Sequence, residues 1–333
     1  MYELLLICLT LSALLTVNAL MSLVTAAAGR LVEPALRKVS AGLRAEILFT
    51  LRICAPAISI VAIAAVFVPS FLAHEPYGTK ETVGFKLGLL AFLSVVGVGL
   101  ALSRAMRSWL ATRSLLQKWL GSATQIQLGE VPTPTFRLPH AFPIIAVVGT
   151  LRPRLFIAEH VLQSLSGEEL KAAIAHECGH VNARDNLKRT LLRACRDVLM
   201  LIPCGRSLDR AWAEAAECAA DEHAAKQSSE TALNLASSLV KIAKMIPAGG
   251  HAAMPVAVFL VGEESRGVKA RVRRLLDLAS NDHRRRNAHS NAVKILPALA
   301  IFSMLVAGIS AANHSPVLIN AHNLIEHVVH LLS

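Results

Sequence analysis

The chain has 333 residues, 54% of them hydrophobic and only 17% charged, with a mean hydropathy of +0.50. That balance excludes an ordinary soluble protein and requires part of the chain to face lipid. The formal net charge of +11 would suit nucleic acid, yet aromatic residues make up only 5% and the Lys and Arg residues gather at the edges of apolar stretches, so the basicity is assigned to membrane topology and no nucleic-acid partner is expected.

Residues 4–28 form an apolar run interrupted only by Thr, Ser and Asn18, long enough to span a bilayer. A cleaved signal peptide is the rival reading. It is disfavoured because Met1-Tyr2-Glu3 carries no basic residue and the run exceeds a usual signal-peptide core. Arg30, Arg37, Lys38, Arg44 and Arg52 follow. A second span is expected over 53–73 with Pro56 and Pro69 inside it, then a polar hairpin over 74–86. The third, 87–103, contains Gly88, Gly97 and Gly99, small residues that let helices approach closely. A fourth is expected over 295–312. Lys and Arg dominate after the first run, after the third (Arg104, Arg107, Arg113, Lys118) and before the fourth (Arg284, Arg285, Arg286, Lys294), whereas the 74–86 hairpin has only Lys80 and Lys86. The positive-inside rule then places the N-terminus outside and the region 104–294 in the cytoplasm. The division expected is a membrane region over 1–104, a cytoplasmic domain over 105–292, and a last span with a short amphipathic tail over 293–333. That tail carries His314, His322, His327 and His330 and is expected on the membrane surface or against a neighbouring element.

Within the cytoplasmic domain, 108–119 reads as a continuation of the third helix. The β-rich runs 144–148 and 155–157 flank a turn-like Gly149-Thr150-Leu151-Arg152-Pro153 and read as a hairpin. An extended peptide can add to the exposed edge of such a sheet through backbone hydrogen bonds. Ser166-Gly167-Glu168-Glu169 is a capping box that opens a helix. A further helix is expected over 187–200 with solvated Arg and Lys, and an Ala-rich one over 207–226.

The capped helix carries His176-Glu177-Cys178-Gly179-His180, an H-E-x-x-H pattern. Residues four apart share a helix face, so His176 and His180 can grip one metal ion with Glu177 beside it. Two imidazoles and a third protein ligand suit zinc and leave a position for water, whose proton the adjacent carboxylate can take. The third ligand is sought in the Ala-rich helix, where Glu217 and Asp221 lie four apart. Glu217 completes a His2Glu set and Asp221 can accept a hydrogen bond from a ligand imidazole. Glu214, one turn earlier, is the reserve. Asp185 can cap the following helix. His223 reads as a helix-surface histidine, with oxyanion stabilisation as the sharper alternative. The six cysteines fall singly with no C-x-x-C pair, and read as thiols in a reducing compartment rather than disulfides.

The strings HECGHVNARD at 176–185 and ECAAD at 217–221 resemble the paired motifs of integral-membrane gluzincin peptidases: family M48, of the HtpX and CAAX prenyl protease kind, and family M56, the metalloprotease part of BlaR1-type sensors. The resemblance runs over roughly 135–280 and includes the Arg-Val-Arg-Arg-Leu-Leu segment at 271–276. It implies one zinc ion per chain held by His176, His180 and Glu217, Glu177 as general base, and Asp185 and Asp221 as supporting carboxylates. It also implies a protein or peptide substrate. The expected molecule is a mainly α-helical membrane protein with about four transmembrane helices and an α+β zinc peptidase domain containing a small sheet, an integral membrane endopeptidase with its catalytic domain in the cytoplasm and, in a bacterial host, in the inner membrane. The alternative is a signalling membrane protein whose zinc domain cleaves, or only binds, one partner such as a repressor. Only about 20 residues follow the last span, so no penicillin-binding sensor domain is expected. Oligomeric state is left open.

Overall fold

The computed structural model describes residues 2–75, 83–128, 131, 133–195, 205–246, 265–280, 296–312 and 314–332. Three helical stretches in it are long and apolar enough to cross a membrane: α1 (Tyr2–Leu36), the stretch Ala41–His74, and α4 (Phe85–Ser122). A fourth is counted if α11 (Leu296–Ala312) and α12 (Ser315–Leu332), which meet at a sharp bend, form one broken span. The fourth apolar run is thus helical where expected, but at 17 residues α11 alone is short for a span.

The stretch Ala41–His74 consists of α2 (Ala41–Ala62), a π turn (Ile63–Phe67) and α3 (Val68–His74). Pro69 has no N–H for the carbonyl one turn back, and its ring crowds that carbonyl. A widened turn just before it relieves both. α4 has 38 residues, about 57 Å at 1.5 Å per residue, so it projects well beyond a hydrocarbon core of about 30 Å. Its far end delivers Trp119, buried edge-on against Phe156 with ring centroids 5.1 Å apart. The expected continuation of the third apolar run over 108–119 is part of this one helix.

A four-stranded sheet follows, in the order β1 (Thr124–Ile126), β2 (Thr135–Leu138), β4 (Arg154–Ala158), β3 (Ile145–Val148). β3 and β4 form the expected antiparallel hairpin, while β2 and β4 are parallel. The turn needs Gly149: its φ is +111°, and a Cβ there would lie 2.6 Å from the Arg152 carbonyl oxygen. All four residues of β3 are buried, packed with α6 (Gly167–Ala183), α9 (Ser229–Met245) and α10 (Ser265–Ser280) in one core that includes Phe156, Ile174, Leu235, Leu239 and Leu275.

The remaining helices are α5 (Glu159–Ser164), α7 (Asp185–Ala194) and α8 (Gly205–Ala225). A second apolar cluster joins the membrane region to α8: Leu36, Leu48 and Phe49 pack against Leu208 and Trp212. Polar links run alongside it. Arg52, 3% exposed, donates to Asp209 Oδ1 at 3.1 Å and to the Cys195 carbonyl at 2.9 Å; Lys188 pairs with Glu46; and the Ala41 N–H donates to Glu222 at 3.2 Å. Of the basic stretch after the first run, Arg30 lies within α1 and Arg44 and Arg52 on α2, while Arg37 and Lys38 sit in the turn between the two helices. Lys188 and Arg189 are likewise not solvated as expected, because each has a carboxylate partner, Glu46 and Glu217. The tail helix α12 packs on α3, where the Ser70 hydroxyl donates to the Leu318 carbonyl at 2.6 Å and His322 stacks on His74. Most of the 74–86 hairpin, the end of the helix expected over 187–200, and Arg284–Arg286 lie outside the described residues.

Candidate metal centre

The site is built on α6. Ser166 caps it: its hydroxyl accepts the Glu169 N–H at 3.2 Å and the Glu169 carboxylate accepts the Ser166 N–H at 2.8 Å, the reciprocal pair that satisfies two orphan donors of a helix start. Burial alone would raise the Glu169 pKa, but bonds from Lys241 and Ser237, 2.7 Å each, and from the Ser166 backbone bring it down to about 2. The other end of α6 stops at Arg184, held in the left-handed region at φ 56° and ψ 37°, the one non-glycine residue with positive φ among the described residues. A side chain pays strain there, and the kink lets α7 start at Asp185 and fold back toward His180.

His176 and His180 stand one turn apart with rings at 87°, and their Nε2 atoms are 3.2 Å from each other. Each Nδ1 is committed to a carboxylate: His176 to Asp221 Oδ1 at 2.9 Å, His180 to Asp185 Oδ2 at 2.7 Å. The Glu217 carboxylate, on α8, faces both Nε2 atoms at 3.7 and 3.6 Å. α8 reaches this close because Gly179 faces it. A Cβ at that position would lie 3.0 Å from Ala220 Cα, and the Ala-rich face of α8 buries Ala216, Ala220 and Ala224. Glu214 is solvent-exposed and takes no part.

With Nδ1–H donated to carboxylates, both Nε2 lone pairs and the Glu217 oxygens converge on one point. Two lone pairs and a carboxylate so placed repel one another unless a cation lies between them. The donor set of two imidazole nitrogens and one carboxylate, all within 4.8 Å of one another, is that of a catalytic zinc site. The residues present therefore fit the ion that the motif implies.

Glu177 is fully buried, and burial, opposed by His180, pushes its carboxyl up to about 7. Its Oε2 accepts the Val147 N–H of β3 at 3.2 Å, and its Oε1 has no hydrogen-bond partner among the described residues. An acid–base group near neutrality with a free lone pair is suited to proton transfer, and a cation beside it would draw that value lower.

Besides Arg189, which donates to Glu217 Oε1 at 3.2 Å, two residues are given no role in the site by the sequence reading. Arg271 of α10 forks onto Asp221 at 2.6 and 2.9 Å and reaches Glu217 Oε2 at 3.2 Å. Burial opposes its charge, but Asp221 and Glu217 raise its pKa; burial likewise pushes the Asp221 carboxyl up, and Arg271 and His176 overcome it and hold it low. It shares a helix face with Arg274, Leu275 and Leu278, of which both leucines are buried. An arginine on the apolar stripe of an amphipathic helix was the available signal. Asn186 of α7 is the second: its amide donates to the carbonyls of Val147 and Gly149 at 2.9 and 3.1 Å. His223 is half-buried and lies 3.4 Å from Asn182. The Cys178 thiol is raised by burial, the opposite of what a reactive thiol needs.

The fold is thus that of a mainly helical membrane protein carrying a compact α+β region with a His-His-Glu centre. Residues 144–246 of the chain match the model of peptidase family M48, one of the two families the motifs resemble. Protease HtpX of Buchnera aphidicola subsp. Baizongia pistaciae (strain Bp) is 29% identical over 123 residues, 32% of this chain. The match spans 42% of that protein's length.

Proposed function

We propose that the protein is a membrane-embedded zinc endopeptidase that hydrolyses peptide bonds at the centre formed by His176, His180 and Glu217. The observation that carries this reading is the convergence of the two Nε2 atoms on Glu217 beside a buried carboxyl with a free oxygen. His176, His180 and Glu217 would hold a zinc ion, which when bound would supply a Lewis acid for the peptide carbonyl and for acidifying water toward a pKa of about 7. Glu177 takes the proton from the attacking water at Oε1 and returns it to the leaving amine. Asp221 and Asp185 hold the imidazoles in the tautomer that presents Nε2, and Arg271 balances the charge of Asp221 and Glu217.

The charge bias of the loops supports a cytoplasmic catalytic region with the N-terminus outside. A reporter fused at Ser280 reads cytoplasmic on this account, and periplasmic activity would reverse the topology. The activity is tested with the full chain purified in detergent. About one zinc per chain and cleavage of casein or of the protein itself, abolished by a chelator and restored by zinc, are expected. Zinc-loaded protein that cuts neither substrate would overturn the reading.

A further inference from the structure

Polar ties hold α7 in place more than apolar burial does. Of its ten residues only Asp185, Asn186 and Leu192 are buried, and Leu191 is largely exposed, so little apolar area fixes the helix against its neighbours. Its first residues serve the metal centre, Asp185 on His180 Nδ1 and Asn186 on the Val147 carbonyl. Its other end is tied to the long apolar helices: Arg193 reaches Ser108 Oγ of α4 at 3.5 Å, and Arg52 of α2 donates to the Cys195 carbonyl at 2.9 Å.

Between those ends stand two adjacent cations, and successive helix residues are turned about 100° from each other. Lys188 therefore faces α2 while Arg189 faces α8. The Lys188 ammonium pairs with Glu46, both nearly buried, and lies over the Phe49 ring, 5.6 Å from its centroid. Arg189 Nη2 donates to Glu217 Oε1 at 3.2 Å, and its guanidinium lies 5.7 Å from the centroid of the Trp212 ring. Glu217 is thus gripped from two sides, since Arg271 meets Oε2 at 3.2 Å. What holds the two arginines differs. Arg271 is locked onto Asp221 at 2.6 and 2.9 Å. Arg189 has Glu217 as its carboxylate partner, and its Nε is buried with no hydrogen-bond partner among the described residues. Its position follows from where α7 and the Trp212 ring put it.

We propose that Arg189 is a positioning residue for the third ligand and that the membrane region sets its grip. The Lys188–Glu46 tie places α7 against α2, α7 places Arg189, and Arg189 turns the Glu217 carboxylate toward the two imidazoles. Affinity for the metal ion then depends on a contact with α2 that touches no ligand. A donor on the outer side of a ligating carboxylate fixes its orientation, which favours metal binding, whereas the charge of the guanidinium repels a cation. Orientation wins here, because the Arg189 charge is paired with Glu217 itself and its side chain is 19% exposed, so water and salt screen its field at the centre. This inference rests on the metal-centre reading above.

The test is the zinc affinity of the full chain in detergent, read by competition with a chromogenic chelator, with a thermal melt of each variant alongside. Arg189→Met should weaken zinc binding about tenfold or more, and Arg189→Lys, which restores the charge and one donor, should recover part of the loss. Glu46→Gln and Lys188→Met cut the tie to α2 from either side, so that one can be read if the other fails to fold. Each should weaken zinc binding about threefold or more. Neither should weaken it further when combined with Arg189→Met, whereas damage unrelated to Arg189 adds to that variant's loss. Unchanged or tighter zinc binding in Arg189→Met overturns the positioning role. Unchanged affinity in both the Glu46 and Lys188 variants, or additive losses in the double variants, overturns the control by α2. A wild-type protein that binds no zinc removes the metal-centre reading, and this inference falls with it.

Discussion

Replacing Asp221 by Asn isolates what the buried carboxylate does for the metal centre. The side chain is fully buried and accepts from His176 Nδ1 at 2.9 Å and from Arg271 at 2.6 and 2.9 Å. Asn keeps the shape but has one acceptor oxygen, and its NH2 must then face a donor on Arg271 or on His176. Removing one partner of a buried ion pair costs about 3–5 kcal/mol, since the other charge is left uncompensated. Here Arg271 retains Glu217 at 3.2 Å, so the lower end of that range, about 3 kcal/mol, is expected. At a few degrees per kcal/mol for a domain of this size, the melting temperature should fall by roughly 5–10 °C. The His176 ring also loses its orienting acceptor, which typically weakens metal binding by about 10–100-fold. Thermal melts in detergent and competition against a chromogenic zinc chelator read the two effects separately. A variant with unchanged melting temperature and unchanged zinc affinity would refute the role assigned to Asp221 and to its pairing with Arg271.

Glu217→Ala should lower zinc affinity by an order of magnitude or more while Glu214→Ala leaves it unchanged, because Glu214 is exposed; the reverse result moves the third ligand. Glu169 tests the pH dependence: its carboxyl is held at about 2 in the fold against 4.5 ordinarily. Since the folded value is the lower one, its stabilisation is fully present above pH 4.5 and fades as pH falls toward 2. Glu169→Gln should cost roughly 2–3 kcal/mol at pH 7 and flatten the acid limb of a denaturation curve, the shift multiplied by about 1.4 kcal/mol per unit and trimmed for the exposure of Lys241. Arg52→Met removes the buried donor to Asp209 and to the Cys195 carbonyl and should destabilise the junction of α2 with α8 by about 1–3 kcal/mol in urea titration. An unchanged midpoint would show that this link carries no weight.

The parts of the centre that could be read from the sequence are those written in local spacing. The capping box, the His176/His180 pair and the Glu217/Asp221 pair each depend on residues three or four apart on one helix, and the structure brings all of them together. The β3–β4 hairpin is legible for the same reason. Arg271 and Asn186 escape because their partners lie 50 and 39 residues away, and an arginine in an amphipathic helix looks like a solvated residue until its neighbour is known. Lys188 and Arg189 fail in the same manner. Hydropathy located the membrane runs but not their ends: it cannot report that α2 begins at Ala41 and α4 continues to Ser122, because those extensions are stabilised by packing against α7, α8 and the sheet rather than by lipid. The junction shared by Leu36, Phe49, Leu208 and Trp212 also makes the boundary drawn near residue 104 a division of sequence more than of packing.

The central claim is that His176, His180 and Glu217 hold a zinc ion for which Glu177 moves the proton. Glu177→Gln tests it in one preparation, by measuring zinc per chain and cleavage of casein on the same detergent-purified protein. The account predicts about one zinc per chain in both proteins and loss of cleavage in the variant only. Cleavage at the wild-type rate in a variant that keeps its zinc would contradict it.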